Sequence, residues 1–308
     1  MATAFRVSVP ATTANIGPGF DCLGAALSRH NQFTFSPLSA EAGLQIEVTG
    51  EERDRVATDS SNLAYVAFCE FFKRLGKAVP PLHLRIDLDV PLARGLGSSS
   101  TAIVGGLLGA NALAGEPLET AALAQLATEI EGHPDNVVPA LMGGCRLATV
   151  NDDGATTICE VHWAPEIIPI IVVPAFEVAT AEARQVLPAQ YSRADAVYTI
   201  GHLGLLLQAL AAGNGSWLRA AIGDRIHEPY RKTLIPGYDA VAQAAYQSGA
   251  YGVTISGAGP TLLALGTSRQ ADAIALAMKA AWEAADIKVV DAQPLTINTT
   301  GATVVTID

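Results

Sequence analysis

The sequence is sparing with most of the features that mark a specialised class of protein. Its 308 residues include only four cysteines, Cys22, Cys69, Cys145 and Cys159, and none forms a CxxC pair. No disulfide framework is expected, and the thiols read as buried groups in a reducing compartment. Charged residues are scarce at 16%, and no lysine-rich block offsets 30 acidic against 19 basic residues, a net charge of −11. A chain of that sign is poorly suited to nucleic acid or to an anionic membrane surface, and neither partner is expected. Long apolar runs are missing too. The greasiest stretch, Ile167 to Val173, is broken by Pro169 and stopped by Pro174, which is too short to cross a bilayer. Met1 to Pro10 alternates Phe5, Val7 and Val9 as a first strand would, without a basic head and apolar core, so a cytoplasmic protein is expected.

What is present is aliphatic bulk. Half the residues are hydrophobic, the profile of a folded mixed α and β protein with a large core. Leu82 to Val90 alternates almost perfectly as a strand, and Leu44 to Val48 does so over a shorter span. Helical patterns cover Asn62 to Leu75, Thr101 to Ala114, Pro117 to Ile130, Ser192 to Ala212, Tyr238 to Gln247 and Gln270 to Ala285. Strands are expected at Trp163 to Val173, Gly252 to Ile255 and Thr261 to Leu265, with a closing strand pair at the end. The length suits two domains, with a junction near 150–165.

Six segments carry possible chemistry. Pro91-Leu-Ala-Arg-Gly-Leu-Gly-Ser-Ser-Ser-Thr101 joins a strand to a buried helix. Gly95 and Gly97 allow a bend that turns N–H groups toward one point, and the helix start adds unpaired donors, a combination that holds phosphate. It lacks the lysine of a Walker loop, and a serine-capped helix start is the competing reading. Pro10 to Gly24 places Gly17 and Gly19 around Pro18, with Asn15 and Asp21 among apolar neighbours, either a pocket or a tight turn. Glu129-Ile-Glu131-Gly132-His133-Pro134-Asp135-Asn136 collects oxygen ligands that suit magnesium, or forms an ordinary capped helix end. His133 has no second ligand at zinc spacing. Arg184, in Thr180-Ala-Glu-Ala-Arg184, and Arg231, in Asp224-Arg-Ile-His-Glu-Pro-Tyr-Arg231, can fork onto a carboxylate or serve surface ion pairs. Ser256-Gly-Ala-Gly-Pro-Thr261 lets backbone approach a ligand loop, or packs tightly.

Together these segments resemble one family. PLARGLGSSST resembles the glycine-rich loop of the superfamily that includes galactokinase, mevalonate kinase and phosphomevalonate kinase. PATTANIGPGFDCLG, EGHPDN, TAEAR, EPYRKTLIPG and SGAGPT are similar to those of its homoserine kinase family, over about Val7 to Leu265. The resemblance implies an α+β, two-domain small-molecule kinase fold: an N-terminal ribosomal-protein-S5-like domain (1–160) that binds ATP and a C-terminal ferredoxin-like domain (161–308). It implies phosphorylation of the L-homoserine side-chain hydroxyl with ATP and Mg2+, on the route to threonine, in a homodimer. Another acceptor of the superfamily, mevalonate or a sugar, and a non-catalytic nucleotide binder are the alternatives.

By position, Pro91, Leu92, Ala93, Arg94, Gly95, Leu96, Gly97, Ser98, Ser99, Ser100 and Thr101 would wrap the ATP phosphates, and Asn62 would lie at the adenine. Ser99 and Glu131 would hold the metal, with Glu129 as the competing carboxylate. Asn15, Asp21, His133, Arg184 and Arg231 would grip the substrate, Asp21 at its ammonium and the arginines at its carboxylate. Asn136 and Thr180 would lie by the reacting hydroxyl. An asparagine there implies phosphoryl transfer without a strong carboxylate base, a step carried by positioning and charge neutralisation.

Overall fold

The first half builds its sheet from strands whose alternation is legible in their burial. β1 (Ala4–Ala14) and β2 (Leu23–Pro37) form a long antiparallel pair with a register shift between Pro10 and Thr12. β4 (Leu82–Asp87) joins β2, and β3 (Leu44–Thr49) lies parallel to β4 through the connecting helix α1 (Leu63–Arg74). β5 (Cys145–Val150) and β6 (Thr156–Val161) branch off the far end of β2. The structure is a computed structural model and describes residues 3–39 and 41–307. Met1 and Ala2, included in the expected first strand, therefore lie outside the described residues, as do Ala40 and Asp308.

Helices α1, α2 (Ser98–Leu113), α3 (Thr120–Glu131) and α4 (Pro134–Met142) cover one face of this sheet around Phe33, Phe35, Phe68, Leu84, Leu107 and Val138. α2 is small and apolar because it is wedged. A Cβ at Gly106 would stand 2.1 Å from the Ala64 carbonyl oxygen, and one at Gly109 2.3 Å from the Phe35 ring.

The second sheet has four strands in the order β10 (Val289–Pro294), β7 (Ile168–Pro174), β9 (Leu262–Gly266), β8 (Gly252–Ile255), all antiparallel. Ranked along the chain that order is 4-1-3-2, the split βαβ arrangement expected of a ferredoxin-like unit. β7, β8 and β9 read as nearly unbroken apolar runs because both of their faces are buried, whereas the edge strand β10 carries Asp291 and Gln293. Ile170, Val172, Leu262 and Ala264 face α9 (Tyr238–Gln247) and α10 (Ala271–Glu283). Ile171, Val173, Leu263 and Leu265 face α6 (Arg193–Ala212) and α7 (Gly215–Ala221), in a core shared with Ile16, Leu23 and Leu27 of the first half. Two short helices, α5 (Thr180–Gln185) and α8 (Glu228–Arg231), are joined by the bond from Arg231 Nε to the Ala183 carbonyl.

Several expectations are corrected. The closing strands do not pair with each other: β10 joins β7, whereas β11 (Thr303–Ile307) returns to β1. The first sheet thus draws its strands from both ends of the described residues. β4 stops at Asp87 because the next free N–H groups, those of Asp89 and Val90, donate to the Asn31 side chain instead of a neighbouring strand. The strand expected from Trp163 starts only at Ile168. Only Cys145 of the four thiols is buried, and Cys159 is exposed.

Candidate active site

The Gly-Ser segment is shaped by what holds its carbonyl groups. Thr12 N–H donates to the Leu96 carbonyl oxygen at 3.1 Å, Thr261 N–H to that of Arg94 at 3.3 Å, and Ser256 Oγ to that of Gly95 at 2.7 Å. With the carbonyls drawn outward, no backbone N–H from Ala93 to Ser100 has an acceptor among the described residues. The helix start adds to this concentration of donors. Gly97, in the left-handed region at φ 68°, is the N-cap of α2 and offers no side-chain cap, so Ser98, Ser99 and Ser100 fill the first turn. The serines are therefore not caps, and the first turn keeps its positive dipole end open. Neither glycine is replaceable in place. A Cβ on Gly97 would meet Thr12 Oγ1 at 2.0 Å, and one on Gly95 the Ser256 carbonyl oxygen at 2.2 Å.

Arg94 does not present a free cation to this cradle. Its guanidinium donates to Glu52 at 2.7 Å and to the carbonyls of Leu92, Pro174 and Ala175, which ties the bend to the end of β7. Glu52 also accepts from Leu92 N–H and from Arg55, and these bonds with Arg94 outweigh its partial burial and lower its pKa.

Glu131 ends α3 beside the bend, with Oε1 accepting from Ser99 Oγ at 2.8 Å and Ser100 Oγ at 3.1 Å. Glu129 is turned away, paired with Arg74 and Gln125. Asn136 Oδ1 accepts from Thr12 Oγ1 at 2.7 Å. Asp135 is fully buried, and one of its oxygens lies 2.5 Å from His133 Nδ1. Burial of the His133 ring opposes protonation, but the Asp135 bond and charge outweigh it and raise the pKa.

The opposite wall is cationic. Arg231 is 1% exposed, donates from Nε to the Ala183 carbonyl and from one terminal nitrogen to the Gly257 carbonyl, and has no carboxylate partner among the described residues. Arg184 forks onto both oxygens of Asp21 at 3.0 Å. Phe20 lies under both guanidiniums, 5.9 Å from Arg184 and 5.0 Å from Arg231, and stacks on the buried ring of His227. Asn15 bridges the two halves, donating to the Gly257 carbonyl while accepting from Asp21 N–H. Asn15, Asp21 and Ala93 all adopt positive φ, a conformation that costs a non-glycine residue and clusters at working sites. These walls enclose one cleft of about 430 Å³, lined by the bend, Glu131, His133, Asn136, Thr180, Arg184 and Arg231.

Residues 62–144 match the family described as GHMP kinases N terminal domain, and residues 206–284 match GHMP kinases C terminal. The chain is 56% identical to a homoserine kinase of Trichormus variabilis over 98% of this chain and 99% of that one. It is 54% identical to one of Microchaete diplosiphon over 97% of each. The chain belongs to the homoserine kinase family. A crystal structure of a homoserine kinase from Cytophaga hutchinsonii, 32% identical, superposes with a TM-score of 0.89 over 98% of this chain and 97% of that one. The fold extends further, to a mevalonate kinase of L. major at 17% identity and a TM-score of 0.71 over 96% of each chain.

Within this family frame, the residues named from sequence fall unevenly around the cleft. Leu92, Ala93, Arg94, Gly95, Gly97, Ser98, Ser99 and Thr101 line it, whereas Leu96 and Ser100 are buried behind it and Pro91 lies outside the lining. Asn15 and Asn62 line it too, and Asn62 also caps α1. Its Oδ1 accepts from Ala64 and Tyr65 N–H and one Nδ2–H donates to the Ala57 carbonyl, which anchors the rim at Val56 and Ala57 and leaves one N–H free among the described residues. Asp21 is outside the lining, but its carboxylate holds Arg184 and lies within 4.8 Å of the His133 ring, and both of those residues line the cleft. Sequence reading missed Thr12, Phe20 and Asn31. Thr12 and Phe20 lay inside a quoted motif, but a threonine on a strand and a phenylalanine carry no chemical signal of their own. Asn31, which donates to Thr101 and caps the end of β4, had no motif around it.

Proposed function

We propose that the chain transfers the γ-phosphoryl group of ATP to the side-chain hydroxyl of L-homoserine, giving ADP and O-phospho-L-homoserine. One observation carries the reading: a run of unpaired amides and an unpaired buried arginine face each other across a single cleft. The amides suit a triphosphate, and Arg231 suits a carboxylate. The Asp21–Arg184 pair suits a zwitterion, which can part it, offering an ammonium to Asp21 and its carboxylate to both arginines. A neutral sugar offers no charge to replace either member.

Ser99 and Glu131 fit Mg2+, a hard ion that takes one or two carboxylates and completes its shell with substrate phosphates and water. When bound there, the ion supplies charge neutralisation on the phosphates. The rest falls to the chain. Loop amides and the α2 dipole stabilise charge on the transferred group, and the carbonyl contacts to Thr12, Ser256 and Thr261 preorganise that bend. Asn136, fixed by Thr12, orients the acceptor hydroxyl with Thr180. Asp135 is turned to His133, so deprotonation is not assigned to it, in keeping with a loose transition state. The working unit in this reading is a homodimer.

A coupled ADP-release assay with ATP and Mg2+ tests this against homoserine, serine, threonine, mevalonate and galactose. Homoserine should be preferred by at least 100-fold in kcat/KM. Preference for any other acceptor, or nucleotide binding without turnover, overturns it.

A further inference from the structure

Helix α6 is out of place on a monomer surface. Over its length it is apolar enough to cross a membrane by composition, yet 22% of that stretch is buried. Leu206, Ala209 and Leu210 pack inward. The outward stripe, spaced three and four residues apart, is Arg193, Val197, Ile200, Gly204, Gln208 and Ala211, all exposed. Ile200 is 72% and Val197 65% exposed, and they are the most exposed large hydrophobics in the first half of the helix. Between these knobs stand hollows. A Cβ at Gly201 or Gly204 would meet nothing within 4 Å, so neither glycine is required by packing within the chain, although each weakens the helix.

The geometry points to this stripe as a face that binds a second copy of the chain, α6 against α6, antiparallel across a two-fold axis. It rests on the homodimer of the preceding reading and adds its location. The arrangement is self-complementary, as a two-fold contact must be. Setting Gly201 opposite Gly204 of the second copy centres the axis on the middle of the helix and lowers Ile200 toward a hollow. The same register sets Arg193 opposite Ala212 of the other copy, at the helix end where Gly213 lies close to the Glu166 carboxylate. Arg193 and Glu166 are exposed, of opposite charge, and unpaired among the described residues. Each α6 N-terminus also meets an opposed C-terminus, which favours the antiparallel dipoles. A membrane is the poorer occupant, since the stripe is interrupted by glycines, flanked by acidic Asp195 and Glu166, and carried by a chain of net charge −11.

Sedimentation velocity of the full chain, with thermal melts as the folding control, tests the face. The wild-type chain should sediment as a dimer, and Ile200→Glu should weaken association at least 100-fold. Gly204→Leu fills a hollow and removes a helix-weakening glycine, so it should fold at least as stably while weakening the dimer at least 10-fold. Arg193→Glu and Glu166→Arg should each weaken association several-fold, and the double swap should recover it. A wild-type monomer overturns both the dimer and its face. A dimer indifferent to Ile200→Glu and Gly204→Leu overturns the face alone. Flotation of the chain with phosphatidylcholine–phosphatidylglycerol vesicles, abolished by Ile200→Glu, assigns the stripe to lipid and overturns the proposal as well.

Discussion

A buried arginine without a carboxylate is expensive to keep, because burial alone disfavours its charged form and lowers its pKa. Two carbonyl acceptors and the Phe20 face offset part of that cost, and an anionic substrate offsets more. Arg231→Lys keeps the charge but loses the planar fork. It should raise KM for homoserine at least 100-fold while leaving KM for ATP within about 3-fold, as steady-state kinetics with each substrate varied will show. A comparable fall in both affinities removes Arg231 from the substrate wall. Asp135 provides the complementary check. With its carboxylate held by His133, Asp135→Asn should slow turnover by less than about 10-fold at saturating substrates. Loss of turnover with folding and both affinities intact makes it the base.

Elements matter through their ends. Asn31, in the middle of β2, accepts from Asp89 and Val90 N–H and donates to Thr101, so one side chain joins the end of β4 to the first turn of α2. Asn31→Ala leaves two backbone donors unsatisfied. It should cost about 1–3 kcal/mol of stability, measured by urea denaturation, and raise KM for ATP before KM for homoserine. How far the elements were legible follows the same logic. Two helices match the expected bounds closely: α9 at both ends, where Gly237 precedes and Ser248-Gly249 follows, and α6 from its Ser192 cap. α2 began three residues before the reading because Gly97, and no serine, starts it. β2, the longest strand, was missed entirely, since Ser28-Arg-His-Asn-Gln32 interrupts its alternation. Those polar residues are answered by distant partners: Arg29 by Asp89 and Asp291, and Asn31 by the bend. The glycine bend and both arginines were legible because few other roles require those residues together. The pairing of Asp21 with Arg184, 163 positions apart, was not.

At the scale of the whole molecule, stability carries the mark of a buried acid. Burial pushes Glu228 up to about 7 from an ordinary 4.5, with the Tyr238 hydroxyl as its partner. Between those two values the folded chain holds a proton that the unfolded chain has released. The Glu228 contribution to stability should therefore fall as pH rises through that window, by on the order of 3 kcal/mol in full, and level off above it. Urea unfolding at pH 5 and pH 8 checks the sign, since Glu228→Gln should remove most of that slope. The return of β11 to β1 has a consequence in time. From the bridge between Leu27 and Ile297 through the Ala26–Asn298 backbone bond to the pairing of Ala4 with Ile307, this closure joins residues 270 to 303 positions apart, so it forms late in folding. Until β11 docks, the outer side of β1 keeps its backbone donors and acceptors unpaired, so a refolding chain should be most prone to edge-to-edge association just before that step.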